Sequence, residues 1–356
     1  MHPRLETAGG SRVAIHRISK GFVVPSGVYT LKPCQLKFYN TELKTPETGD
    51  VVYGRIKHIG QHSSLENRSG RIHAIHGGTT GIFVYGNRYA PDYYEAFVPE
   101  AASNSVDLIA RSGIIGSVST KNARIKDPTT IEILGYVCTE EGQQLNTIKF
   151  PLITAKQNQK KYPRSRMILV CGTTMNSGKS AAAAACCWVL SNLGYKVKGA
   201  KITGTASLKD ILHMNDAGAQ SFSDFSFLGY PSTYLLEEKE LLHVFDTLDL
   251  KYANNPANYW VVELADGINQ RETALLLQSE NVKQRIHRLV FCANDAFSSM
   301  GGVEYLKQRY DLRPNLISGV CTSSPLHMRE ISHVIDIPIF DAMNIDLKYA
   351  GRLLLA

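Results

Sequence analysis

The pattern of apolar and polar positions changes about halfway along the chain. From about Val13 to Ile153, short runs of β-branched and aromatic residues recur: Val51-Val52-Tyr53, Arg71-Ile72-His73-Ala74-Ile75, Gly81-Ile82-Phe83-Val84-Tyr85 and Thr130-Ile131-Glu132-Ile133-Leu134. Gly77-Gly78 and Gly86-Asn87 punctuate them. Strands at short spacing with turn residues between them predict a small barrel or sandwich. After a polar, basic connector from Ala155 to Arg166, the apolar runs become continuous. Met167–Cys171 reads as a buried strand, and the Ala-rich stretch Lys179–Leu193, closed by Gly194, as a helix. Further apolar runs stand at 197–202, 259–263, 288–292 and 316–320. Strands alternating with helices predict a doubly wound parallel sheet. The expected organisation is a β-rich, barrel-like part over 1–154, a basic linker over 155–166 and an α/β part over 167–356.

Composition narrows the class. With 356 residues the chain fits about two domains, and 44% hydrophobic against 20% charged residues permits a packed core and excludes wholesale disorder. No apolar run reaches the ~18 residues of a membrane-crossing helix, so no membrane partner is expected. Met1–Gly10 lacks the apolar stretch of a secretory signal. Seven cysteines without a C-x-x-C argue against a disulfide framework or a zinc ribbon. A reducing cytoplasm is the expected setting.

Charge divides unevenly. Residues 1–166 hold 22 Lys/Arg against 13 Asp/Glu, and residues 167–356 hold 17 against 19, for a net +7. A basic first part admits nucleic acid or another anion as partner, and an oligonucleotide-binding barrel fits the strand pattern. An ordinary soluble surface fits the same charge equally well.

The most informative segment is Met167-Ile-Leu-Val-Cys-Gly172-Thr173-Thr174-Met175-Asn176-Ser177-Gly178-Lys179-Ser180. A buried strand enters a loop that ends Gly-Lys-Ser and opens a helix. This is the context of a P-loop, whose amides and helix N-terminus face phosphate oxygens. Residues 172–180 are therefore the candidate nucleotide-binding residues. Lys179 is expected to reach the β- and γ-phosphates and Ser180 to hold Mg²⁺. The spacing is G-x5-G-K-S, one residue longer than usual.

That spacing resembles dethiobiotin synthetase and its relatives, including cobyrinic acid a,c-diamide synthase. Their G-T-x4-G-K-[TS] is matched by Gly172-Thr173 to Gly178-Lys179-Ser180. Lys201-Ile-Thr203-Gly204-Thr205 is similar to their K-P-x-x-[ST]-G, without the proline. Asn215-Asp216-Ala217 is similar to their N-x-D-A, one residue tighter. Val262-Glu263-Leu264-Ala265-Asp266-Gly267 is similar to their V-E-G-A-G-G, with Leu264 and Asp266 in place of glycines. The resemblance covers roughly residues 167–345. It implies ATP and Mg²⁺ as cofactors, Asp216 and Glu263 near the metal, Thr322 in a base-contacting loop and a homodimer.

The residue types suit phosphoryl transfer. Lys179 neutralises phosphate charge, and Ser180, Asp216 and Glu263 offer hard oxygens for Mg²⁺. Lys201, ending a predicted strand, is a third candidate catalytic residue beside Lys179 and Glu263. Thr203, Thr205, Asp266, Gln270, Arg271, Asn294 and Asp295 are candidates to face the same site. For most of these, an ordinary cap, salt bridge or turn is an equal reading. His58, His62, His73 and His76 invite a metal reading, weakened by their strand phase. Gly86-Asn87-Arg88-Tyr89 with Asp92-Tyr93-Tyr94-Glu95 suggests base stacking or packed tyrosines. Cys186 and Cys187 are expected in the core. Three functions follow: an ATP-dependent kinase or ligase acting on a small molecule; a nucleic-acid-associated NTPase or polynucleotide kinase; and a regulatory NTPase whose first part binds a partner. The first is preferred.

Overall fold

Most of the β-branched runs of the first part pair into one sheet that curls on itself, while the run at 71–75 pairs with Ser64–Glu66 in a separate two-stranded sheet. The computed structural model describes residues 14–155 and 160–356. Its first eleven strands are β1 (Ile15–Arg17), β2 (Phe38–Asn40), β3 (Val51–His58), β4 (Ser64–Glu66), β5 (Ile72–Ala74), β6 (Thr80–Tyr85), β7 (Arg88–Tyr89), β8 (Tyr94–Phe97), β9 (Ser105–Ala110), β10 (Ile114–Lys121) and β11 (Thr129–Cys138). Five of them pair in a cycle: β11 with β3, β3 with β6, β6 with β10, β10 with β9, and β9 with β11. Only the β6–β10 pair is parallel. A closed cycle leaves these strands no free edge.

Alternation sorts the side chains. Val52, Ile56, Phe83 and Tyr85 share one core with Leu108 and Ile131. Val51, Tyr53, Ile82 and Val84, in the opposite phase, join a second core that continues through Met167, Leu169 and Phe225. The β-rich half is thus packed into the α/β half rather than tethered to it. β7 and β8 form a hairpin beyond the cycle, with β8 paired to β10.

The second half carries β12 (Arg166–Gly172), α1 (Lys179–Asn192), β13 (Lys196–Lys201), α2 (Leu208–Asp216), β14 (Ser221–Asp224), α3 (Glu238–Tyr252), β15 (Asn258–Glu263), α4 (Arg271–Gln278), α5 (Glu280–Lys283), β16 (Ile286–Cys292), α6 (Ala296–Tyr310), β17 (Leu316–Ser318), α7 (Pro325–Val334) and α8 (Leu347–Leu355). The six strands lie in the order β14-β13-β15-β12-β16-β17, all parallel. Such sheets are covered on both faces, so their strands need not alternate. In β12, Met167, Leu169 and Cys171 enter one core, while Ile168 and Val170 enter another with α1. The alanines of α1 and the buried Cys186 and Cys187 let that helix lie close to the sheet. The result is a doubly wound α/β fold in which the central strand, the glycine loop and the helix follow one another at the carboxyl edge, the arrangement of a P-loop.

The strand expected over 316–320 ends at Ser318, because Gly319 turns the chain with φ 98°. Part of the connector and the Met1–Gly10 segment lie outside the described residues. Arg164, near the connector's end, is ion-paired with Asp249 of α3. Among the described residues no helix is long and apolar enough to cross a membrane.

Candidate functional site

The loop after β12 is shaped by two glycines. A Cβ on Gly172 would lie 2.4 Å from Ser177 Oγ and 2.6 Å from the Cys292 carbonyl. Gly178 has φ 92° and backs onto Gly319, where a Cβ would meet that residue's Cα at 2.8 Å. Gly178 is therefore required by its own backbone and by the Gly319 turn behind it. The Thr173 amide donates to Cys292 O at 2.9 Å, and Val320 N donates to Ser177 O at 3.1 Å. The loop is thus held from behind by the ends of β16 and β17. Met175, Asn176, Gly178, Lys179 and Ser180 line a cavity of about 450 Å³. Lys179 Nζ donates to Thr174 O at 2.6 Å. Burial pushes its pKa down, against the pull of Glu263.

Parallel pairing sets the next residues side by side. Lys201 ends β13 in register with Glu263, which ends β15, and Glu263 follows Val170 across β12. Ser180 Oγ donates to Glu263 Oε1 at 2.9 Å, and Lys201 Nζ lies 3.8 Å from the same oxygen. Lys201 is also ion-paired with Asp210, in the first turn of α2. Burial works against the Lys201 ammonium, but Asp210 and Glu263 together hold its pKa above the ordinary lysine range. Burial raises the Glu263 carboxyl, and Lys201 opposes the rise.

Whether these residues suit Mg²⁺ is decided by oxygen chemistry. Glu263 is 1% exposed, and its Oε2 is buried with no hydrogen-bond partner among the described residues. An orphaned carboxylate oxygen beside the Ser180 hydroxyl fits a hard cation that takes its other ligands from phosphate and water. No group of three or more His, Cys, Asp or Glu among the described residues is placed to hold a metal by protein ligands alone.

Asp266 and Arg88 also line the cavity. Asp266 has φ 59°, the left-handed conformation that Asp and Asn tolerate best after glycine. Burial pushes the Asp266 carboxyl up to about 6, against Lys179, Lys201 and Arg88. Arg88, from β7, reaches the cavity from the β-rich half.

Several expectations are corrected. Asp216 ends α2, exposed and outside the cavity lining, roughly 9 Å along the helix from Asp210 at ~1.5 Å per residue. Asp210 is the carboxylate that α2 brings to the site: it lines the cavity with Lys209 and His213, whereas Asp216 lies on the exposed side of the helix. Thr322 is buried and donates to Gly319 O at 2.9 Å, so it shores up the turn behind Gly178 and does not line the cavity. Thr203 accepts from Ala265 N at 2.8 Å and ties two strand ends together, while Thr205 does line the cavity. Gln270 caps α4, Arg271 pairs with Glu272 and Leu236 O, and Asp295 caps α6. His62 is buried against Arg88 and Tyr93 and is not gathered with His58, His73 and His76 around an ion.

Asp210, Arg88 and Tyr89 of the cavity were not singled out for catalysis from the sequence. Asp210 had a local signal, an acidic residue in the first turn after Ser207. Arg88 and Tyr89 stand in the aromatic and charged run read above as base stacking or packed tyrosines, and only the hairpin's docking brings them to this cavity.

No protein-family model and no curated protein matches this chain. Among solved structures it is similar to the signal recognition particle receptor FtsY from Elizabethkingia anophelis, with 12% identity over 57% of this chain and a TM-score of 0.32. It is also similar to FtsY from Mycoplasma mycoides, with 16% identity over 57% of this chain, 72% of that one, and a TM-score of 0.34. The chain spans 64% of the first of these, less than two thirds of its length.

Proposed function

We propose that this chain transfers a phosphoryl group from ATP to a small-molecule acceptor with a carboxylate, amine or hydroxyl nucleophile. The observation that carries the reading is the cavity itself. It begins at Lys179 and Ser180 and continues past Lys201, Glu263 and Asp266 to Arg88 and Tyr89 of the other half. A second ligand thus has room beside the phosphates.

In this reading the loop amides and Lys179 bind and orient the phosphates. Lys179 leaves the Thr174 carbonyl to do so. Ser180 and Glu263 would hold Mg²⁺, which when bound neutralises phosphate charge. Lys201, fixed between Asp210 and Glu263, directs its ammonium to the acceptor side. The acceptor's lone pair forms the new bond to the γ-phosphorus as the bond to the β,γ-bridging oxygen breaks and ADP leaves. Excess proton from an amine or hydroxyl passes to solvent. The resemblance to dethiobiotin synthetase supports a carboxylate or carbamate acceptor and ATP as donor.

ADP release from Mg-ATP tests this, with Mg-GTP in parallel and Lys179→Ala as control. Stimulation by a dialysable metabolite extract, lost in Lys179→Ala, is expected. Stimulation by oligonucleotides alone would replace the reading with a nucleic-acid-dependent enzyme. Slow release that no addition changes would favour a regulatory NTPase.

A further inference from the structure

Arg88 is a buried cation whose charge is not matched locally. It is 7% exposed, on a two-residue strand fixed by pairing with Ala96 and Glu95 of β8. Its guanidinium lies over the Tyr93 ring, 5.0 Å from the centroid. Its Nη1 is 3.1 Å from His62 Nε2. That imidazole also stacks on Tyr93, and burial followed by the Arg88 charge holds its pKa near 3, so it is a neutral neighbour. Among the described residues no carboxylate lies within ion-pair distance of Arg88, and its Nε has no hydrogen-bond partner. Burial lowers the guanidinium to about 10, which leaves it charged at neutral pH.

A buried cation with an unsatisfied donor costs several kcal/mol in general unless a partner meets it. Here the neutral imidazole and tyrosine ring fix the fork without neutralising it. Asp266 answers it only through space, and Asp266 is itself shared with Lys179 and Lys201. Arg88 lines the cavity that the phosphate loop opens.

We propose that Arg88 forms an oxyanion subsite, so that the β-rich half completes the phosphoryl-transfer site in the cavity that the phosphate loop opens. The planar fork suits two oxygens of one phosphoryl or carboxylate group. That oxyanion is either the terminal phosphoryl of the nucleotide or the anionic group of the acceptor. The proposal rests on the nucleotide reading above. It makes the β-rich half a working part of the site rather than a separate binding module.

Calorimetric titration of the full chain with Mg²⁺ separates the sources. The probes are ADP, β,γ-methylene-ATP, and inorganic phosphate added to protein already saturated with β,γ-methylene-ATP. If Arg88 meets the terminal phosphoryl, the wild type binds the analogue about tenfold or more tightly than ADP, and Arg88→Met erases that preference. If it meets the acceptor, phosphate binds the analogue-filled wild type and not Arg88→Met. A wild type that shows neither behaviour overturns the subsite, as does an Arg88→Met chain that keeps both. Arg88→Lys, which keeps the charge and loses the fork, guards against a folding defect. It is expected to show a partial loss at wild-type melting temperature, and full wild-type binding in it and in Arg88→Met overturns the proposal. Should no Mg-nucleotide bind the wild type, the function above fails instead. Phosphate titrated onto the nucleotide-free chain then reads the subsite alone, and equal affinity with and without Arg88 rejects it.

Discussion

The carboxylate of Glu66, on β4 of the β-rich half, accepts a hydrogen bond from the amide of Leu208, the first residue of α2, at 2.8 Å. It also accepts from Lys209 N at 3.3 Å and from Ser26 Oγ at 2.5 Å. Ser207, the local cap residue, makes no side-chain capping bond. A glutamate from the other half therefore caps the helix that carries Asp210 to Lys201. A carboxylate at a helix N-terminus satisfies free amides and meets the positive end of the helix dipole.

Glu66→Ala is expected to destabilise the chain by about 2 kcal/mol in urea unfolding, at the upper end for a lost cap because Ser26 loses its acceptor too. Ser207→Ala is expected to change stability by less than about 0.5 kcal/mol. The reverse ranking would show that Ser207 is the cap in solution.

Lys179→Met is expected to lower nucleotide turnover by roughly 10²–10³-fold, the usual cost of removing one preorganised charge donor. Stability is expected to hold or rise, because Lys179 is desolvated and its removal relieves that burial. A large fall in melting temperature would assign Lys179 a structural role instead.

Glu263→Gln and Ser180→Ala are expected to raise the Mg²⁺ concentration needed for nucleotide binding, with Asp216→Asn leaving it unchanged. Asp216 points to solvent, and Glu263 carries the orphaned oxygen. Binding of a nucleotide analogue across a magnesium series reads all three. An Asp216→Asn shift equal to that of Glu263→Gln would return Asp216 to the metal site.

Asp266 predicts a pH dependence of nucleotide-free stability. Its carboxyl titrates near 6 in the folded chain, above the ordinary ~3.9 of an unfolded aspartate. The folded state therefore binds the proton more tightly. The stability this contributes is fully present below about 4 and is lost as pH rises through about 6. Its loss is on the order of 2–3 kcal/mol. Asp266→Asn is expected to flatten the pH dependence between 4 and 6 relative to wild type. Identical slopes in the two proteins would place the Asp266 carboxyl at an ordinary value. Asp224, also pushed up to about 6 by burial, remains in both proteins and cancels in the comparison.

The sequence by itself determined the phosphate loop and the parallel sheet. Helix α1 begins at Lys179 and ends beside Gly194, where the Ala-rich run and the glycine placed it. β12, β13, β15 and β16 lie within two residues of their apolar runs. These features are legible because a strand buried on both faces, a glycine with positive φ and a helix rich in alanine each leave a local signature. Lys201 and Glu263 were found for the same reason: each ends such a strand, and strand ends in this fold meet at one edge.

Tertiary structure alone decided the rest. Asp216 rather than Asp210 fitted the resembled motif, yet the docking of α2 turns Asp210 to the cavity and leaves Asp216 on the exposed side of the helix. Thr322 stands in the expected loop, yet its hydroxyl turns back to Gly319. Glu66 and Arg88 act 142 and 91 residues from Leu208 and Lys179 along the chain. The run around Arg88 suggested ring stacking and nothing near Glu66 suggested a cap, so neither role is marked locally. A cap or a buried cation depends on which surfaces are packed together, and that is settled by the shared core running from Val84 to Leu169 rather than by any local pattern.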